Sequence, residues 1–275
     1  MAHGPDTEEL LRRIREYDGE TLNVGELNIT SLPTLPDSLK ILLCYKINIT
    51  ELPPLPSNLI CIDCSYTRIT ELPPLPPTLK YLWCSATKII ELPPLPSSLN
   101  ELRCYNTNLT YFPPLPDSLQ QFDCNTTLIT NLPSVLPSSL FRLSCYSTQI
   151  TELPPLPSKL QKLDCDNTKI TELPLLPSSL LYLYCKNTKL TEIPNLPSRL
   201  EKLICNGCPL ILQKNEGESI QDYAKRLEEW KEWKVVNRNQ DRCFAIKEEL
   251  MAAAWHPRRV ERWIKACGIE VLDCI

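Results

Sequence analysis

A cysteine recurs every 20 residues through the middle of the chain, and this period restricts the possible folds more than any other feature. The repeating unit reads LxxLxCxxTxITxLPxLPxS, with one residue more where the segment 132–137 is longer than its counterparts. The periodic cysteines are Cys44, Cys64, Cys84, Cys104, Cys124, Cys145, Cys165, Cys185 and Cys205. A unit this short cannot bury its own apolar side, so the period predicts coils that stack into a solenoid.

Each unit predicts one short strand, followed by an extended segment that leads the chain back to the start of the next strand. Leucine at repeat position 4 and cysteine at position 6 alternate with variable residues, which is the period of a strand. Stacked coils then form a parallel sheet with strands about 4.8 Å apart. The chain holds 27 prolines and only 6 glycines, and the Leu-Pro-Pro-Leu-Pro segment favours a polyproline-like path on the other side. Eight full units begin at Leu39, Leu59, Leu79, Leu99, Leu119, Leu140, Leu160 and Leu180.

The unit follows the leucine-rich-repeat template, with Cys in place of the third Leu and Thr in place of the usual Asn. Its LPxLP segments resemble the short repeats of bacterial type III effectors of the YopM and IpaH kind, over residues 22–210. That resemblance implies an α/β solenoid of horseshoe shape with a concave parallel sheet, acting as a protein-interaction scaffold inside a host cell. The ligase-bearing effectors continue into a long catalytic domain, whereas only residues 211–275 follow here.

A second resemblance lies near the end of the chain. The segment 251–263, which contains Met-Ala-Ala-Ala-Trp and then His-Pro-Arg-Arg, is similar to a C-terminal motif in repeat proteins of large DNA viruses. This resemblance implies a viral source and an infected cell as the setting. Bacterial and viral origin both remain open at this point.

Helical signals flank the repeats and predict caps at both ends of the solenoid. Leu10, Leu11, Ile14 and Tyr17 have helical spacing and predict a capping helix over residues 6–18. After the repeats, apolar spacing predicts three helices that either cap the last coil or dock a second partner. These helices cover residues 218–235, 240–254 and 257–266. The predicted organisation is an N-terminal cap (1–20), about ten repeat coils (21–212) and a C-terminal helical cap (213–275).

The cysteine column predicts core packing rather than a metal or redox array. Thiols are small, apolar and usually buried, and in-register strands orient neighbouring cysteines poorly for disulfides. The repeats contain no histidine, and the Cys205-x-x-Cys208 pair lies seven coils from the pair at Cys61 and Cys64, too far to share zinc. The threonine at position 9 is expected to point inward and satisfy backbone groups of neighbouring coils. No metal and no cofactor are expected.

The binding surface is predicted at positions 3, 5 and 7, which project from the concave sheet and vary while the framework repeats. These columns collect Tyr, Trp and Arg, the residue types that dominate protein-binding hot spots. The predicted contact residues are Leu43, Tyr45, Tyr81, Trp83, Arg103, Tyr105, Tyr146, Tyr182 and Tyr184. The expected partner is another protein.

Charge and hydropathy argue against a nucleic-acid-binding, a membrane-spanning or a secreted protein. The net charge is -4, and the pI of 5.4 gives no electrostatic footprint for nucleic acid. No segment has the ~18 apolar residues of a membrane span, and the charged N-terminus lacks the apolar core of a signal peptide. A cytoplasmic protein with reduced cysteines is therefore expected.

The sequence leaves two functions open as alternatives to partner binding. A thiol-type ubiquitin ligase, or its adaptor, would need a reactive cysteine among Cys208, Cys243, Cys267 and Cys274. Such a cysteine needs a partner that lowers its pKa, and the chain has only two histidines. The expectation is therefore that the chain is not an enzyme. A structural or self-assembling, virion-associated role is the second alternative, although a monomer is favoured.

Overall fold

The computed structural model describes residues 5–235. One helix, α1 (Pro5–Arg15), precedes ten three-residue strands, one for each coil. The strands are β1 (Thr21–Asn23), β2 (Ile41–Leu43), β3 (Cys61–Asp63), β4 (Tyr81–Trp83), β5 (Glu101–Arg103), β6 (Gln121–Asp123), β7 (Arg142–Ser144), β8 (Lys162–Asp164), β9 (Tyr182–Tyr184) and β10 (Lys202–Ile204). The chain divides into two compact units, Met1–Gln213 and Lys214–Ile275.

The ten strands form one parallel sheet in chain order. The register pairs equivalent repeat positions, so that Leu82 lies beside Leu102 and Trp83 beside Arg103. Each repeat position therefore runs as a continuous column from coil to coil. The segments between the strands contain neither helix nor strand, which confirms the predicted leucine-rich-repeat solenoid with an extended, proline-marked return path.

Two local features begin and end each strand. The second proline of the LPxLP segment opens a turn, as at Pro96, whose carbonyl accepts a hydrogen bond from the Leu99 amide at 3.1 Å. After the strand, the residue at position 8 adopts a left-handed conformation in every coil, with φ of 58° at Tyr66 and 53° at Thr126. This conformation is costly for residues with a Cβ, above all for a β-branched one such as Thr126. The turn is therefore imposed by the stack of coils rather than by local preference.

The core is a stack of leucine, isoleucine and cysteine side chains, as predicted. Every periodic cysteine from Cys44 to Cys185 has no exposed surface, and no disulfide joins any of these described cysteines. Five of these thiols donate to a carbonyl of the next coil; for example, Cys104 Sγ lies 3.4 Å from the Asp123 carbonyl oxygen. Burial raises the pKa of Cys84 to about 12, so these thiols act as small apolar groups. Within residues 5–235 no cluster of His, Cys, Asp and Glu could hold a metal ion.

The threonine column points inward as predicted, but the predicted partners of its hydroxyls were wrong. Thr107 Oγ1 donates to the Cys104 carbonyl at 2.8 Å, within its own coil rather than to a neighbouring one. The left-handed residue at position 8 reverses the chain and brings the two groups together. Cys208 occupies the same column in the last coil, where its Sγ lies 3.0 Å from Thr188 Oγ1. It is buried and fills that coil.

The N-terminal helix exists but is shorter than predicted, because α1 ends at Arg15 rather than near residue 18. Asp18 stabilises a turn after the helix, because its Oδ1 accepts hydrogen bonds from the Glu20 and Thr21 amides, both at 2.8 Å. These bonds form the turn that leads into β1. Proline at the first helical position and acidic residues in the first turn explain where α1 begins.

In the second unit the described residues 220–235 are helical and form α2, which begins two residues after the predicted start at residue 218. Ser219 caps its start, since Ser219 Oγ accepts the Asp222 amide at 3.0 Å. Cys243, Cys267 and Cys274, the predicted helices 240–254 and 257–266, and the segment 251–263 lie outside the described residues. In the described part, no helix has the length and apolar character to cross a membrane.

Candidate functional site: the sheet face

The candidate site is the outward side of the parallel sheet, which we call the sheet face. It consists of positions 3, 5 and 7 of each coil, from Ile41 to Asn206. Residues between these positions, such as Leu82 and Cys84, are fully buried on the other side. All nine predicted contact residues lie on the sheet face, in two groups: six in the coils of β2 to β5 and three in the coils of β7 to β9.

The first group is organised around a buried carboxylate. Glu101 is only 6% exposed, although it lies on the sheet face. Its Oε1 accepts a hydrogen bond from Trp83 Nε1 at 3.0 Å and pairs with Arg103 Nε at 2.5 Å. The Arg103 guanidinium also stacks over the Trp83 ring at 4.9 Å, and Tyr81 contacts the same ring edge to face at 6.5 Å. We call these four residues the Glu101 cluster.

Contacts within the protein engage the carboxylate of the Glu101 cluster. Gln121 Nε2 donates to Glu101 Oε2 at 3.4 Å, so both carboxylate oxygens are engaged. Arg103 uses its Nε for the ion pair, while its side chain is 47% exposed. The other guanidinium nitrogens of Arg103 are not part of this ion pair.

The other members of the first group pack around this cluster. Tyr105 and Tyr66 reach across the coil between them, and their hydroxyl oxygens lie 3.1 Å apart. This hydrogen bond and partial burial raise the pKa of Tyr105 to about 12. Tyr45 lies over Gly25, where a Cβ would come within 2.8 Å of the Tyr45 ring. Leu43 is half-buried in β2.

The second group combines tyrosines with lysines. Lys162 and Lys202 both approach the Tyr184 ring, at 5.1 and 5.4 Å from its centroid, within the range of cation–π attraction. The Tyr182 hydroxyl donates to Glu201 Oε2 at 2.7 Å. Tyr146 is exposed at the surface of the β7 coil.

A cleft of about 210 Å³ lies between the two groups. Its polar lining includes Arg103, Tyr105, Asp123 and Arg142. Burial raises the pKa of Asp123 above its usual range, against the opposing influence of the two arginines. Burial likewise raises the pKa values of Asp164 and Asp166.

Replacing Asp123 with asparagine is expected to stabilise the fold at neutral pH. Because the pKa of Asp123 is raised in the folded state, the folded protein binds a proton more readily than the unfolded chain. The free energy of unfolding therefore decreases as the pH rises through this raised pKa, and the penalty persists at neutral pH. Urea denaturation at about pH 4 and about pH 7 should show a smaller decrease for Asp123→Asn than for the wild type.

The exposed Asp37 provides the control for this measurement. Asp37→Asn removes the same charge from a solvated site and should leave the difference between the two pH values nearly unchanged. Equal pH dependence of Asp123→Asn and the wild type would contradict the assignment of the buried charge to Asp123.

The sequence prediction did not include Glu101, Tyr66 or Gln121 among the contact residues. Glu101 belongs to position 3, one of the three predicted columns, but is not among the predicted contact residues. The available signal was its register position, because Glu101 lies beside Tyr81 in the parallel ladder and two residues before Arg103. Tyr66 stands at position 8, outside the three columns, and only the left-handed backbone there directs it toward Tyr105.

The stacked coils, the buried Leu/Ile/Cys columns and the parallel sheet together define a leucine-rich-repeat protein. Among solved structures it is similar to YopM from Yersinia enterocolitica WA-314, with 34% identity and a TM-score of 0.60 over 68% of this chain. The match covers 46% of YopM, so the chain spans less than half of that protein's length. The predicted resemblance to YopM-type repeats is thereby confirmed.

Two more distant structures share the fold alone. An internalin (inlF) from Listeria monocytogenes is 16% identical, with a TM-score of 0.53 over 75% of this chain and 76% of that one. The leucine-rich-repeat structure of FLRT2, in its octameric complex with Latrophilin 3 and Unc5D, is 20% identical. Its TM-score is 0.51 over 70% of this chain and 83% of that one. No family model and no curated protein matches the chain.

Proposed function

We propose that this protein is a non-catalytic scaffold that binds a partner protein on the concave sheet face. The observation that carries the proposal is the Glu101 cluster, in which a buried carboxylate fixes Trp83 and Arg103 at the surface. Tryptophan, tyrosine and arginine provide most of the binding energy in protein interfaces. A rigid group of these residues on an exposed sheet therefore favours protein binding.

The similarity to YopM supports a further part of the proposal, that the protein is encoded by a pathogen and acts in the host cytosol. In that setting the partner is a host protein and the cysteines are reduced. The periodic cysteines from Cys44 to Cys185 are buried, and burial raises their pKa values, as for Cys84 and Cys104. This disfavours thiolate chemistry at these periodic positions. At Cys208, in contrast, a hydrogen bond with Cys185 lowers the pKa to about 6.

Trp83→Ala and Tyr105→Ala are expected to abolish capture of the partner from host-cell lysate by the immobilised full-length chain. Each substitution removes an aromatic contact from the sheet face and leaves the core columns intact, so thermal unfolding should remain cooperative. Hot-spot truncations of this kind typically cost at least about 2 kcal/mol of binding energy. Quantitative mass spectrometry of the captured proteins, compared with the wild type, measures the loss.

Tyr111 provides the matched control. It is an exposed tyrosine at 53% exposure that lies outside the sheet face, and its hydroxyl donates to Glu91 Oε2 at 2.9 Å. Tyr111→Ala should capture the same proteins as the wild type. The proposal fails if Trp83→Ala and Tyr105→Ala retain every specifically captured protein, or if Tyr111→Ala loses the same ones.

A further inference from the structure

The charged residues of the sheet face are arranged in two layers. The face carries five acidic and five basic side chains, but the exposed ones are all basic. The exposed cations are Arg103, Arg142, Lys186 and Lys202, and Lys162 is half-buried. The acids, all buried or half-buried, are Asp63, Glu101, Asp123, Asp164 and Asp166. A partner that approaches the sheet therefore meets positive charge first.

The recessed acids are already satisfied by the protein itself. Asp63 Oδ1 accepts the Ser65 amide at 3.0 Å, and Asp166 Oδ1 accepts the Lys186 amide at 2.6 Å. Asp123 and Asp164 accept amides two residues later in the same way, both at 3.3 Å. These carboxylates hold the backbone in place, so they compete only weakly for the cations above them.

The exposed cations, in contrast, are largely available to a partner. Arg103 is paired with Glu101 only through its Nε. Among the ion pairs found within residues 5–235, none includes Arg142, Lys186 or Lys202. From the β5 coil to the β10 coil these cations span five coil spacings, about 24 Å. An extended peptide of about seven residues covers that distance.

We propose that the segment bound on the sheet face is an acidic stretch of polypeptide, whose carboxylates pair with Arg103, Arg142, Lys186 and Lys202. This inference rests on the proposed scaffold function and specifies the chemistry of its partner. Tyr146 lies among the cations and Tyr81 lies in the coil before Arg103, and both side chains contact the apolar parts of the segment. A nucleic acid has a higher density of negative charge and fits less well, because the whole chain carries a net charge of -4.

The test measures fluorescence anisotropy of end-capped peptides of about twelve residues with the full chain at low ionic strength. One peptide alternates glutamate with serine, and a second has glutamine in place of every glutamate. An oligothymidylate of the same length represents nucleic acid. We expect the glutamate peptide to bind at least about tenfold more tightly than the glutamine peptide, and its affinity to decrease as salt is added.

Two triple variants separate the sheet face from the total charge. Arg142→Gln/Lys186→Gln/Lys202→Gln should weaken binding of the glutamate peptide by at least about tenfold. Arg68→Gln/Lys169→Gln/Lys189→Gln removes one arginine and two lysines from exposed sites at repeat position 10, and it should change the affinity by less than about twofold. Thermal unfolding of both variants verifies that the fold is retained.

Several outcomes would overturn the acidic-partner inference. These are no binding of the glutamate peptide at about 1 mM, equal binding of the glutamine peptide, tighter binding of the oligothymidylate, or equal losses in the two triple variants. Any of them leaves the scaffold proposal standing if Trp83→Ala still abolishes partner capture while Tyr111→Ala does not. Failure of the capture experiment would instead contradict the scaffold itself.

Discussion

Replacing Phe122 with alanine is expected to lower the free energy of unfolding of the solenoid by about 3–5 kcal/mol, as for other buried phenylalanines. Phe122 is 1% exposed and occupies repeat position 4, which is leucine in both neighbouring coils. Its ring contacts Phe112 edge to face, with centroids 4.9 Å apart. Alanine would leave a cavity against Phe112 in the middle of the solenoid, where the stack above and below restricts relaxation.

The control is Phe122→Leu, which restores the residue found at position 4 in most coils. It keeps most of the apolar volume and should cost much less, about 1 kcal/mol. Urea denaturation followed by circular dichroism measures both values. Because each coil contacts only its neighbours, the alanine variant should also unfold over a broader range of urea. A cost below about 1 kcal/mol for Phe122→Ala would mean that the two phenylalanines do not form a tightly packed contact.

The framework of the fold could be predicted from the sequence because it depends on columns of identical residues. Leucine at position 4 and cysteine at position 6 repeat in nearly every coil, and the sheet register follows directly from the period. The pairing of Leu82 with Leu102 is therefore contained in the 20-residue spacing. The residues that repeat also identify, by contrast, the three variable columns of the sheet face.

The geometry within the sheet face could not be predicted in the same way, because it depends on residues that do not repeat. Glu101 is buried because Trp83 lies in the preceding coil and Arg103 two residues later, and no other coil has this combination. The period places the three residues near one another but does not indicate which hydrogen bonds they form. The burial of each charged side chain also depends on the size of the neighbouring side chains in adjacent coils.

The errors in the prediction have local causes. Tyr17 matches the helical spacing of Leu10 and Ile14, yet the Asp18 side chain caps a turn and α1 ends at Arg15. The threonine hydroxyls donate within their own coils because the left-handed residue at position 8 reverses the backbone. Hydrophobic spacing does not encode either effect, since both depend on backbone conformation at single residues.

Replacing Arg103 with methionine is expected to lower the free energy of unfolding by about 2 kcal/mol. The substitution keeps an unbranched apolar side chain against Trp83 but removes the cation that pairs with the buried Glu101 carboxylate. Removing one member of a fully buried ion pair typically costs about 3–5 kcal/mol. The cost here should be smaller because the Arg103 side chain is 47% exposed, and solvent screens part of the interaction.

A double-mutant cycle with Glu101→Gln isolates this interaction. Glutamine can still accept the hydrogen bond from Trp83 and carries no charge, so in the Arg103→Met background it should recover most of the lost stability. The coupling free energy between residues 101 and 103 should therefore be at least about 1 kcal/mol, measured by urea denaturation of the four proteins. Additive losses would show that Arg103 does not stabilise the carboxylate. The proposed rigidity of the Glu101 cluster would then have to come from Trp83 and Gln121 alone.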